Sequence, residues 1–177
     1  EDSIFVKFKV KNKKNEYLIL WTSTPWTISF NLAVMANPDF DYVKAKVDNE
    51  TWIIAKNLAT SVISGVAGKK FKIIDEFKGK KLEGLEYIHP WHDEIKEFTI
   101  LKKVHPKIHT VVLSKEYVSL DAGSGLVHCA PGCGPEDYAV GYKNNLPAFN
   151  TISESGIFHN DMGKFAGLTA KKDDRQF

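Results

Sequence analysis

Arginine is almost missing from this chain: of 24 basic residues, Arg175 alone carries a guanidinium. That argues against a surface built on bidentate readout of bases or phosphates, which depends on the planar fork of arginine. Cysteine is equally scarce. Cys129 and Cys133 are the only two, and their spacing encloses Pro131 and Gly132, an awkward geometry for a local disulfide. Two cysteines without a disulfide framework fit a reducing, cytoplasmic setting. No apolar run approaches the length that spans a bilayer. The opening Glu1-Asp2-Ser3 lacks the features of a signal peptide. No internal repeat or low-complexity linker breaks the sequence.

What is present suits one compact unit. At 177 residues and 43% hydrophobic, the chain is long enough to close one core and too short to need two. The expectation is a single domain over 1–177. Its charged start and its uncapped end at Asp173-Asp174-Arg175-Gln176-Phe177 suggest a domain excised from a larger protein. Lysines cluster at Lys11-Lys13-Lys14, Lys69-Lys70-Lys72, Lys78-Lys80-Lys81 and Lys102-Lys103-Lys107, yet the formal net charge is only +2. Such clusters read as solvated surface, or as weak, salt-sensitive attraction to a phosphate backbone.

Val6, Phe8 and Val10 alternate with Lys7, Lys9 and Lys11, which predicts a half-buried strand. After the polar turn Asn12 to Asn15, Tyr17-Leu18-Ile19-Leu20-Trp21 predicts a more buried partner strand. Leu32 to Ala36 is a short apolar run closed by Asn37-Pro38. A second hairpin is expected from Tyr42–Val47 and Thr51–Ala55. Further strands are expected at 71–74, 110–113 and 126–129. A helix is predicted from about Lys56 to Ser64, ended by Gly65, and another from Pro135 to about Lys143, with Glu136 and Asp137 in its first turn. The stretch Tyr87-Ile88-His89-Pro90-Trp91-His92 reads as an aromatic loop. Many short strands with a few short helices predict an α+β class, with a barrel-like mixed β-sheet.

Two segments carry the chemistry. Trp21-Thr22-Ser23-Thr24-Pro25-Trp26-Thr27 sets small hydroxyls among two indoles. As a strand-to-turn transition it needs no function, but buried hydroxyls need partners, which a bound ammonium, carbonyl or ribose would supply. Gly123-Ser124-Gly125-Leu126-Val127-His128-Cys129-Ala130-Pro131-Gly132-Cys133-Gly134-Pro135-Glu136-Asp137-Tyr138 runs from a strand through a turn into a helix. Asp137 is either a helix-start acid or a ligand for a cation; His128 is either a core histidine or a site residue. A metal site at His128, Cys129 and Cys133 would need further ligands, with only His159 and Asp161 nearby in sequence. Cysteine–histidine catalysis is disfavoured because adjacent strand residues point to opposite faces.

Both segments resemble the editing domain of class I aminoacyl-tRNA synthetases, and that of the isoleucyl enzymes in particular. The likeness continues through Asn31-Leu32-Ala33-Val34, Gly156-Ile157-Phe158 and Gly163-Lys164-Phe165-Ala166-Gly167-Leu168, nearly the whole chain. Leucyl and valyl enzymes usually carry arginine in place of Thr24 and a proline-alanine-histidine-aspartate second motif. Ser23 stands for a frequent threonine and keeps its hydroxyl. Phe30 stands where a small residue is common, and Cys133 where histidine or an aromatic is frequent. The synthetic signatures His-Ile-Gly-His and Lys-Met-Ser-Lys-Ser are missing.

The resemblance implies hydrolysis of valine mis-esterified to isoleucine tRNA, with valyl-adenylate as a further substrate and isoleucine excluded by size. It implies catalytic roles for Asp137, Thr22 and Thr24, with Asp137 anchoring the substrate ammonium. It implies substrate contacts for Trp21, Ser23, Trp26, Thr27, His128, Ala130 and Pro131, with His128 and Trp26 walling the side-chain pocket. No metal or cofactor is expected in this domain; the parent enzyme is expected to use ATP and Mg. Expected partners are the acceptor end of tRNA(Ile), misactivated valine and the parent's catalytic core, in the cytoplasm and without a membrane. The alternatives are a non-catalytic tRNA-docking module, the editing domain of a valyl or leucyl enzyme, or an unrelated small hydrolase or metal-binding domain.

Overall fold

The computed structural model describes residues 3–177. β1 (Ile4–Val10) and β2 (Glu16–Thr22) form the expected antiparallel hairpin, with Phe8 and Val10 buried and Lys7 and Lys9 in solvent. Asn12 and Asn15 take positive φ in the turn, a conformation that asparagine tolerates better than most residues. β3 (Ala33–Ala36) is buried throughout. β4 (Asp41–Val47) and β5 (Glu50–Ala55) make the second hairpin around Asp48 and Asn49. β6 (Lys72–Lys78) pairs with β4 and is largely exposed, and it runs to Lys78 rather than stopping at Ile74. β7 (Tyr87–Ile88), β8 (Thr110–Leu113) and β9 (Leu126–Cys129) complete the set.

The strands join in one mixed sheet in the order β6-β4-β5-β2-β9-β3-β8, with β1 pairing β2 and β7. β2 is the branch point. Its first residues pair in parallel with β5 (Glu16↔Thr51), whereas its end pairs in parallel with β9 (Trp21↔Val127). Passing one strand edge from β5 to β9 splays the sheet into a half-barrel. Among the described residues, no helix is long and apolar enough to cross a membrane.

Three sequence expectations need correction. The helix starting at Lys56 does not stop at Gly65: α1 (Lys56–Ala59) continues as a π-helical stretch, Thr60–Val66. The stop is Gly68 at φ +64, beyond a wide closing bond from the Ala67 N–H to the Val62 carbonyl, as left-handed glycine caps do. The stretch 87–92 is not a simple surface loop, because Tyr87 and His89 are fully interior. α2 (Glu97–Val104) escapes the sequence reading. Phe98 faces the core, but Ile100 and Val104 are 55% and 70% exposed and blur its helical period. α3 (Pro135–Lys143) lies where expected.

Candidate active site

Sheet pairing brings the two segments together. Trp21 sits in register with Val127, and Val34 with His128, so the end of β2 meets the middle of β9. Thr22 closes β2, and Pro25 opens a 3-10 turn, Pro25–Phe30, where its missing N–H leaves no bond unmade.

The hydroxyls of this bend form one connected string. Thr22 Oγ1 accepts the Thr24 N–H at 3.0 Å, and Thr24 Oγ1 lies 3.3 Å from Thr22 Oγ1 and 3.2 Å from Thr27 Oγ1. Thr27 donates its single hydroxyl hydrogen to the Thr24 carbonyl at 2.8 Å, and its oxygen lies 3.1 Å from His128 Nε2. With that hydrogen committed, the contact to His128 requires the imidazole proton to sit on Nε2. Nδ1 is then a bare lone pair, buried and without a protein partner. Burial lowers the His128 pKa to about 4, so the ring is neutral at physiological pH.

Asp137 enters from the other side. It is the third residue of α3, and its Oδ2 accepts the Ala130 N–H at 3.1 Å. Burial raises its carboxyl to about 6, opposed by the Ala130 hydrogen bond and reinforced by Glu136. The loop before β9 is pinned from below. Tyr42 donates its hydroxyl to the Gly125 carbonyl at 2.6 Å, and Ala55 donates its N–H to the Ser124 carbonyl at 2.9 Å. Gly125 has φ +74, and a Cβ there would lie 2.3 Å from Ala55 Cβ; only glycine allows both the turn and the approach.

Between these parts lies a cleft of about 350 Å³. Trp21, Thr22, Ser23, His128 and Asp137 line it, with Gly123 to Val127, Ala122, Tyr117 and Ser119. The other expected site residues stand behind this lining. Thr24 and Thr27 connect to it through the hydroxyl string, and Ala130 donates its N–H to Asp137. Pro131 is buried beside Gly141, where a Cβ would lie 2.7 Å from its ring. Trp26 does not face the cleft: its indole packs on the core around Phe30, and its Nε1 is buried without a partner. Tyr117 and Ser119 were missed because no pattern marks them; the chain's return over the cleft brings them in.

Cys129 is buried and points away from His128, its thiol 3.6 Å from the Asp137 carbonyl. Burial, then Asp137, pushes its pKa well above the usual thiol range, and the same causes put Cys133 at about 12. Neither is a thiolate near neutrality. At pH 7.5 iodoacetamide should therefore modify the folded protein far more slowly than the urea-unfolded chain, and Cys133→Ser should keep its activity; rapid alkylation with loss of activity would contradict this. Among the described residues, no three His, Cys, Asp or Glu side chains gather in a metal-binding arrangement.

The lysine clusters are partly neutralised. Lys11 and Lys102 share Glu86, Lys78 meets Asp41, and Lys69 meets Asp48. The surface therefore offers less free positive charge than the sequence suggests.

No protein-family model matches the chain. It is 44% identical over 180 residues to isoleucine–tRNA ligase of Pyrococcus furiosus and 43% identical over 187 residues to that of Methanocaldococcus jannaschii, with 99% of this chain covered in each case. The matches take in 16% and 17% of those proteins, so the chain spans about a sixth of the length of these relatives. In structure it is similar to GlLeuRS-CP1, with a TM-score of 0.71 at 15% identity, covering 99% of this chain and 93% of that one. It is also similar to the cytosolic leucyl-tRNA synthetase editing domain of P. knowlesi, with a TM-score of 0.58 at 15% identity, covering 84% of this chain and 67% of that one. In sequence the chain is thus similar to one segment of isoleucine–tRNA ligases, and its fold is that of the synthetase editing domains.

Proposed function

We propose that this chain is the editing segment of an isoleucine–tRNA ligase acting in the cytoplasm, and that it hydrolyses the ester joining valine to the terminal adenosine of tRNA(Ile). The observation that carries this reading is the cleft itself. It sets the Asp137 carboxylate, the hydroxyls of Thr22 and Ser23 and the neutral imidazole of His128 around one space. That donor and acceptor set suits an α-aminoacyl ester.

In this reading Asp137, ionised above about pH 6, binds the substrate α-ammonium through a charge-assisted hydrogen bond. Thr22 and Ser23 meet the ribose and carbonyl oxygens. Water adds to the ester carbonyl, the bond to the ribose oxygen breaks, and valine leaves as a carboxylate. His128 is too weak a base to carry much proton transfer, so holding water against an already activated ester supplies much of the rate. The work of the site is discrimination. A synthetic pocket that fits isoleucine also fits valine, and the isoleucine–valine pair is the standard worked case in which a missing methylene is worth only about 1–3 kcal/mol. A second site that admits the smaller group and rejects the larger corrects the remainder.

Valyl-tRNA(Ile) should then be deacylated much faster than isoleucyl-tRNA(Ile), and equal rates would defeat the proposal. His128→Ala removes the bulk of an interior wall, so the preference should narrow mainly because the isoleucyl ester reacts faster. An unchanged ratio would take His128 out of the sieve.

A further inference from the structure

The aromatic stretch 87–92 contributes nothing to the lining of the cleft, yet it holds the cleft's hydroxyl bend from behind. His89 is interior, and two bonds assign its proton. The Trp91 backbone N–H donates to Nδ1 at 3.1 Å, so Nδ1 is an acceptor and the hydrogen resides on Nε2. Nε2 lies 2.8 Å from the Ile28 carbonyl and donates to it. The ring has no freedom to leave. Phe8, Phe98, Trp91 and His109 surround it at centroid distances of 4.6–5.8 Å. Beside it, the buried Tyr87 hydroxyl donates to Asn31 Oδ1 at 2.5 Å, and Asn31 Nδ2 donates to the Ala33 carbonyl at 2.7 Å.

Ile28 and Asn31 belong to the 3-10 turn and its exit. Thr27, which fixes the His128 ring, immediately precedes Ile28. At its two ends the backbone of the turn is fastened by the Thr27 N–H to the Thr24 carbonyl and by the Asn31 N–H to the Ile28 carbonyl. A short 3-10 turn has poorer hydrogen-bond geometry than an α-helix, so its position depends more on what grips it from outside.

We propose that His89 and Tyr87 are positioning residues for the cleft. By gripping Ile28 and Asn31 they set the place of Thr27, hence the tautomer and orientation of His128, hence the size discrimination of the site. The last step rests on the editing reading above; the first two do not.

The test uses the whole chain with 15N-labelled histidine and four variants. His89→Leu removes the donor, while His89→Gln keeps an N–H where Nε2 was. Tyr87→Phe removes one oxygen atom. Phe98→Leu loosens packing on the same ring without touching a bond to the turn. The ring-nitrogen signals of His128 report its tautomer, and the valyl-to-isoleucyl deacylation ratio reports discrimination. His89→Leu and Tyr87→Phe should shift His128 from a pure Nε2–H form to a mixture and lower the ratio about 10-fold, the scale expected when a group is displaced by a fraction of an ångström. His89→Gln should restore both readouts, and Phe98→Leu should leave both in place although it melts lower. Unchanged His128 signals in His89→Leu and Tyr87→Phe, or equal changes in Phe98→Leu, would overturn the proposal. Should His89→Leu not fold, Tyr87→Phe with its single lost atom decides. Should the wild type hydrolyse neither ester, the editing reading falls, and the ring signals alone judge the positioning role.

Discussion

Asp137→Asn should lose at least about tenfold in valyl-ester hydrolysis at pH 7.5 while the protein melts at a higher temperature, because a charge-assisted bond to the substrate ammonium is worth about 1.5–3 kcal/mol. The two effects have one cause. The folded state holds the Asp137 proton more tightly than the unfolded chain does, since burial raises the carboxyl from 3.8 to about 6. Its contribution to stability is therefore complete below pH 3.8 and is lost as pH rises through 6. At pH 7.5 the ionised, mostly buried carboxylate works against folding by about 2 kcal/mol, after allowance for its partial exposure. Asparagine keeps the size and the bond from the Ala130 N–H but carries no charge. It forfeits only the favourable interaction with the start of α3, about 0.3–1 kcal/mol. Net stabilisation of about 1 kcal/mol is expected at pH 7.5, vanishing near pH 4. The wild-type kcat/KM should fall below pH 6 as the carboxylate is lost, and that acid limb should disappear in the variant. An acid with no substrate role would leave hydrolysis and its acid limb intact in the variant, whatever the shift in melting temperature.

Acid should unfold this protein well above the carboxylate range. His89, His109 and His128 are buried, and burial, the leading cause in each case, lowers them to about 3, 2 and 4. Depressed histidines stabilise the fold fully above their unfolded pKa of about 6.5, and that contribution is lost as pH falls towards the folded values. At pH 5 each unfolded histidine binds nearly a full proton that the folded site refuses, a loss of about 2 kcal/mol apiece and about 6 kcal/mol for the three. Asp137 changes with the opposite sign and returns about 1 kcal/mol over the same interval. The balance is comparable with the whole stability of an ordinary domain, about 5–15 kcal/mol. The urea midpoint should therefore drop steeply between pH 7 and pH 5, and a flat profile there would mean that these rings are not held neutral and dry.

Much of this architecture was legible because it is local. The alternation around Phe8 and Val10, the turn asparagines Asn12 and Asn15, and the Pro135 helix start each act within a few residues. The two segments that meet at the cleft were legible for a different reason: their residue types and order resemble those of one family. Where local signals conflict, they point away from the structure. Ile100 and Val104, apolar side chains left in solvent, hide α2, and Gly65 reads as a helix stop although the chain closes past it in a wider turn before Gly68.

The sequence alone determined the composition of the site, its hydroxyls, histidine and acid, along with the strands that carry them, because periodicity and turn chemistry are short-range. Only the tertiary structure decided which of those groups meet. Strand register joins Trp21 to Val127 and puts Thr27 beside His128, 101 residues away. Core packing turns Trp26 inward, the loop after β8 brings Tyr117 to the cleft, and burial raises Asp137 and lowers His128. These are consequences of long-range pairing and desolvation, which depend on what surrounds a residue in space and leave no mark on its neighbours in the chain.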